Sequence, residues 1–113
     1  MAKHDPSLDT LFTALGDPTR RAILARLAQG PASVSELAQP FDMALPSFMG
    51  HIARLEAAGL VSTRKDGRIR TCAMTPGALD PAADWIAEQR AIWEARLDRL
   101  DDFVLSLMKE RKE

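Results

Sequence analysis

The sequence has one cysteine, no tyrosine and only 5% aromatic residues in its 113 positions. A single cysteine excludes an internal disulfide framework and matches the usage of a reducing compartment. No apolar run approaches the ~18–20 residues needed to cross a bilayer. The opening MAKHDPSLD lacks the apolar core of a signal peptide, so a cytoplasmic domain without membrane contact is expected. There is no phosphate-cradling glycine loop, no internal repeat and no low-complexity tract. What is present is 46% hydrophobic residue, too much for a disordered tail and enough for one modest core. One domain spanning residues 1–113 is expected.

Charge of neither sign dominates, with 15 Lys and Arg against 16 Asp and Glu, but the balance hides a gradient. Residues 45–74 hold Arg54, Arg64, Lys65, Arg68 and Arg70 against Glu56 and Asp66, a net +3, whereas the flanking segments are acidic. Phosphate binding needs a local basic patch, and the global sum matters less.

The chain is well punctuated. Asp5-Pro6 opens a helix with Leu8, Leu11, Phe12 and Leu15 on one face, and Gly16 ends it. Asp17-Pro18 starts a second helix that stops before Gly30-Pro31. Ser33-Val34-Ser35-Glu36 is a capping box for a short third helix that Pro40 breaks. A fourth helix runs from about Leu45-Pro46 to Ala58, with Phe48, Ile52 and Leu55 on its apolar face and Ser47, Gly50, His51 and Arg54 off it. The period then changes. Two β-favouring runs, Leu60 to Lys65 and Arg68 to Met74, flank the Asp66-Gly67 dipeptide of a hairpin. Thr75-Pro76 and Asp80-Pro81 are further helix starts, the second opening a helical pattern to about Arg111. The expected fold is mainly α with a small β-hairpin wing, a winged helix-turn-helix.

Three stretches carry a family resemblance: Leu15-Gly16-Asp17-Pro18-Thr19-Arg20-Arg21-Ala22-Ile23-Leu24, Pro31 to Ala38, and His51-Ile52-Ala53-Arg54-Leu55-Glu56-Ala57-Ala58-Gly59-Leu60-Val61. With Gly67-Arg68 they cover residues 8–75 and resemble the ArsR-type family of bacterial winged-helix repressors. The resemblance implies a homodimeric DNA-binding transcription regulator, a repressor of a pseudo-palindromic operator with its own gene among the expected targets. Two departures stand out. The third helix carries no paired cysteines and residues 80–113 carry no histidine, while Cys72, His4 and His51 are scattered. A metal site needs three or four converging donors. No metal or other cofactor is therefore expected, and the chain looks closer to the metal-independent, SdpR-like branch. In the fourth helix, Met49-Gly50 stand where the family often has a serine and a larger polar residue. Close packing or divergence explains the glycine as well as close approach of the backbone to DNA does.

Ser47, His51 and Arg54 are the expected groove contacts, since arginine pairs with guanine and Ser and His reach bases or phosphates. The alternative is that Arg54 pairs with Glu56 or Asp17 and that His51 packs against the helix before it. Arg64, Lys65, Arg68 and Arg70 at the wing tip would grip phosphates, or serve solubility alone. In the last helix, Ile86, Trp93, Leu97, Leu100, Val104 and Leu107 recur at spacings of 7, 4, 3, 4 and 3, a heptad-type seam widened by Trp85, Ile92 and Phe103. About 30 residues at 1.5 Å make a helix of roughly 45 Å. Arg90, Glu94, Arg96 and Asp98 interrupt the stripe, so it is no membrane span. Part of it would complete the monomer core. The remainder predicts a homodimer through segments 1–16 and 81–111, with Leu8 and Phe12 contributing.

An enzyme is not expected: Asp84 and Glu88 are a solvated helical pair, and His51 has no evident nucleophile partner. Cys72 would gain thiolate character from Arg68 and Arg70, but a lone cysteine in a strand is more often inert. The competing reading is a winged-helix protein-interaction module with residual DNA affinity. Any switching would come through an organic inducer at the dimer seam, a partner protein or protein concentration.

Overall fold

A computed structural model describes residues 6–111 of the protein. The chain falls into two units, Met1–Asp80 and Pro81–Glu113. The first runs α1 (Pro6–Leu15), α2 (Pro18–Leu27), β1 (Ala32–Ser33), α3 (Val34–Ala38), α4 (Leu45–Ala57), β2 (Val61–Asp66) and β3 (Ile69–Met74). Asp5 and His4 lie outside the described residues, and so does the cap expected at Asp5.

The helix ends follow local chemistry. Asp17 caps α2 by accepting the Arg20 backbone N–H at 3.0 Å, with Pro18 in the first turn. The capping box of α3 is complete: the Ser33 hydroxyl oxygen accepts the Glu36 N–H, and Glu36 Oε1 accepts the Ser33 N–H, both at 3.1 Å. At the end of α4, Gly59 adopts φ 75°, which lets its N–H reach the Glu56 carbonyl while Leu60 N–H reaches that of Leu55, both at 3.0 Å. That pair of bonds is a Schellman stop, and it turns the chain directly into β2.

The sheet differs from the expected two-stranded hairpin. Its order is β1-β3-β2, antiparallel, because Ala32 and Ser33 pair with Cys72 and Thr71. The wing turn is also shifted from its expected centre at Asp66-Gly67: Asp66 pairs with Ile69, leaving Gly67 and Arg68 as the central residues. Gly67 stands first with φ 65°, the conformation a two-residue hairpin of this kind needs and that glycine adopts without strain. Thr75-Pro76 starts no helix. The chain there is a turn in which Gly77, at φ 74°, departs from helical geometry and its carbonyl accepts from Asp80 N–H at 3.1 Å.

The core of this unit is Phe48, Ile23, Ile52, Leu55, Leu60 and Cys72, all fully enclosed. Three of the six belong to one face of α4, which packs against α1, α2 and β2. Phe41, in the connector after α3, stacks obliquely on Phe48 at 5.5 Å between ring centres. Truncating Phe48 to alanine would cost about 3–5 kcal/mol, so the depth and rotation of α4 are tightly held.

The second unit carries the helix α5 (Asp80–Arg111), 32 residues long, which starts at the last residue of the first. Trp93, Leu97, Leu100 and Phe103 are each more than half exposed along it. No helix of the described residues is long and apolar enough to cross a membrane.

Candidate nucleic-acid interface

Burying Phe48, Ile52 and Leu55 fixes what α4 presents elsewhere. At 100° per residue, Pro46, Gly50, Ala53 and Ala57 fall opposite the core, and all are exposed. Ser47 and Arg54 flank that face on one side, Leu45 and Met49 on the other. Of the eight residues expected to touch DNA, seven are exposed: Ser47, Gly50 and Arg54 on α4, and Arg64, Lys65, Arg68 and Arg70 on the wing.

The eighth, His51, is turned inward with 17% of its side chain exposed. Its Nδ1 lies 3.0 Å from Arg20 Nη1 and 3.8 Å from Asp17 Oδ2. The ring thus packs inward, as the alternative reading had it, but on the start of α2 and not on α3, the helix immediately before. Arg20, which sequence reasoning missed, is the centre of this cluster. It is 6% exposed and donates from Nε to the Ala14 carbonyl at 2.8 Å and from Nη2 to that of Thr13 at 3.0 Å. Those carbonyls end α1, where the helix dipole is negative, so the guanidinium caps one helix while holding α4. Arg21 does likewise for the Leu15 carbonyl at 2.8 Å. The available signal was a basic pair in the turn just after a helix-ending glycine. Arg54 borders a hollow of about 300 Å³ with Thr10, Thr13 and Arg20, on the α1 side of α4.

The wing is strongly cationic. Lys65 pairs directly with Arg70 across β2 and β3, and Arg64 with Thr71. Like charges directly opposed in a strand pair repel each other. Arg70 Nη1 reaches toward Thr63 Oγ1 at 3.5 Å, and that hydroxyl donates to Glu56 Oε2 at 2.8 Å, which ties the wing to the end of α4. Between α4, α3 and β3 runs a groove of about 580 Å³ bordered by Leu45, Met49, Ile69 and Arg68.

Cys72 is buried in β3, and burial first, then Glu56, pushes its thiol pKa above the ordinary 9.0, against a smaller opposite pull from Arg70. The expected thiolate stabilisation by nearby arginines is therefore overridden by desolvation. Among the described residues, no three His, Cys, Asp or Glu side chains come together as a metal ion would require.

Residues 15–64 match the model of a helix-turn-helix domain. The chain is 41% identical over 73 residues to the HTH-type transcriptional regulator Rv2034 of Mycobacterium tuberculosis, spanning 65% of this chain and 68% of that protein. A crystal structure of an ArsR family transcriptional regulator superposes with TM-score 0.78 and 55% identity, covering 83% of this chain and 97% of the other. The chain belongs to the ArsR family. It is also 28% identical over 79 residues to the transcriptional repressor SdpR of Bacillus subtilis, covering 70% of this chain and 88% of that protein. This ArsR-family chain is thus a DNA-binding transcriptional regulator of winged helix-turn-helix fold, with β2–β3 as its wing; its family and relatives are regulators rather than enzymes.

Proposed function

We propose that this ArsR-family protein is a homodimeric repressor acting in the cytoplasm on a pseudo-palindromic operator, with its own gene among the targets and no metal cofactor. The observation that carries the reading is the wing: Lys65 faces Arg70 across the strand pair, and Arg64 and Arg68 stand exposed beside them. That repulsion is relieved when an anionic backbone lies along the wing, and phosphate contacts then supply affinity while α4 reads bases. Repression is supported by SdpR, and by the biofilm growth-associated repressor of Agrobacterium fabrum, 32% identical over 68 residues. Dimerisation is supported by the exposed apolar stripe of α5, and segments 1–16 and 81–111 are the proposed dimer helices, with Leu8, Phe12, Trp85, Ile86, Trp93, Leu97, Leu100 and Val104 in the contact.

The test is a titration of the purified protein against the duplex just upstream of its own gene and against a scrambled duplex, at several salt concentrations. Preferential binding to the first, with log affinity falling linearly in log salt, is expected. Salt-independent or equal binding to both would favour the protein-interaction module instead.

A further inference from the structure

The exposed side of α4 is nearly bare of hydrogen-bonding side chains. Pro46, Gly50, Ala53 and Ala57 offer none, and an added Cβ at Gly50 would meet no atom of the chain within 4 Å. His51 is engaged by Arg20 at 3.0 Å. Ser47 and Arg54 remain on one flank. On the other flank, Leu45 is 59% exposed and Met49 half-buried one turn later, facing Ile69 of the wing, also 59% exposed, across the groove of about 580 Å³. Arg68 and Arg70 border that same groove on the wing side, and Glu36 borders it from α3. An apolar floor with two arginines along its wing edge suits a ligand that is anionic at that edge and presents an apolar group at its centre. Duplex DNA is such a ligand: the thymine C5-methyl is the apolar group that the major groove displays among the donors and acceptors of its base edges.

We infer that Leu45 and Met49 read thymine methyl groups, so that the DNA site of this protein is specified on that flank by methyl contacts rather than by hydrogen bonds. This rests on the DNA-binding reading above. A methionine suits the task, because its flexible thioether side chain adapts to a methyl group without a fixed geometry. Ile69 closes the wing side of the groove, and the arginines at the rim hold the backbone against it.

The experiment starts by selecting bound duplexes from a library with a randomised core, using the full-length protein. Each thymine of the enriched duplex is then replaced by deoxyuridine, which deletes the methyl group and leaves every hydrogen-bonding edge intact. About fourfold weaker binding per buried methyl is expected at a small number of positions in each half-site. Met49→Ala and Leu45→Ala should lose the thymine-over-uracil preference at those positions, while Arg68→Ala weakens all duplexes and keeps the ratio. An enriched duplex that tolerates deoxyuridine at every position overturns the inference alone. A preference for thymine that survives both Met49→Ala and Leu45→Ala overturns the assignment to this groove. Failure to enrich or bind any duplex overturns the DNA-binding reading, and this inference with it.

Discussion

Arg20 Nη1 and His51 Nδ1 stand 3.0 Å apart, joining the first turn of α2 to the middle of α4. Arginine has no acceptor, so in this contact the imidazole nitrogen is the accepting atom. The same guanidinium holds the Thr13 and Ala14 carbonyls at the end of α1. One side chain therefore fixes three helices relative to one another. Arg20→Lys should destabilise the protein by about 2–4 kcal/mol, since an ammonium group cannot reproduce the planar fork and leaves buried acceptors unmet. His51→Ala removes a single partner and should cost less. Urea unfolding of the two variants checks the order; a near-neutral Arg20→Lys would show that the cluster is not a structural anchor.

Acid should weaken the same cluster. The Arg20 backbone N–H, and to a smaller extent the Arg20 guanidinium charge, hold the Asp17 carboxyl below its ordinary 3.8 against the opposing pull of burial. The Ser33 backbone N–H, followed by its hydroxyl, lowers Glu36 from 4.5 in the same way. A carboxylate with a depressed folded pKa stabilises the fold above its unfolded pKa, and that contribution fades as pH falls through the folded value. Asp17→Asn keeps a good cap but has no charge to lose. Between about pH 5 and pH 2, the wild-type melting temperature should therefore fall more steeply than that of Asp17→Asn. Parallel curves would show that the carboxylate charge contributes nothing.

Most of this architecture was legible because its signals are local. Asp17-Pro18, the Ser33–Glu36 box and Gly59 each act within one helical turn, and the structure uses all three. β1 escaped because two residues carry no period of their own: Ala32 and Ser33 become a strand only by meeting Cys72 and Thr71 some 40 positions away. The wing turn slid by one residue because Asp66 pairs with Ile69 and so belongs to the ladder, leaving only its glycine in the turn. In the site, helical period alone placed Ser47, Gly50 and Arg54 off the core face. It could not see Arg20, 31 positions from the histidine it holds.

Cys72 should behave as a packing residue. It is completely enclosed, paired with Ala32 on one side and Thr63 on the other, and its thiol pKa is raised. A thiol reagent attacks thiolate that it can reach, and the folded protein offers neither. In buffer near neutral pH, labelling should be limited by opening of the fold, and in denaturing urea it should go to completion quickly. Rapid stoichiometric labelling of the native protein would show that Cys72 is reachable and reactive in the fold.

Helix and wing should divide the work on DNA. Arg68 sits in the wing turn and is proposed to meet phosphates, so Arg68→Ala should weaken specific and scrambled duplexes alike and flatten the salt slope by about one unit. Arg54 lies on the flank of α4, and Arg54→Ala should cost about 1–3 kcal/mol on the best site only, relaxing base preference. Its position on the α1 side of α4 gives this test an edge. If Arg54→Ala instead lowers stability and leaves preference intact, its role is to hold α1.

The last expectation concerns assembly. Trp93 is 60% exposed on α5, and Leu97 and Leu100 are each 55% exposed on the same seam, with Val104 and Leu107 continuing it. So much apolar surface along a 32-residue helix is costly in water, and a second copy offers the same surface in return. In the proposed dimer each protomer would bring one α4 of 13 residues, too little for tight binding alone. Pairing two of them on half-sites about 34–36 Å apart, or a multiple of that, makes the second contact intramolecular and multiplies modest affinities. The double variant Trp93→Ala, Leu97→Ala should sediment as a monomer and lose operator binding. Leu97→Glu serves as the second probe, because it sets like charges against each other across a two-fold seam without removing bulk from the helix. Far-UV circular dichroism and the unfolding midpoint establish that either variant still folds. Folded monomers that bind the operator as tightly as the wild type would show that one protomer suffices, and variants that remain dimeric would move the interface off this stripe.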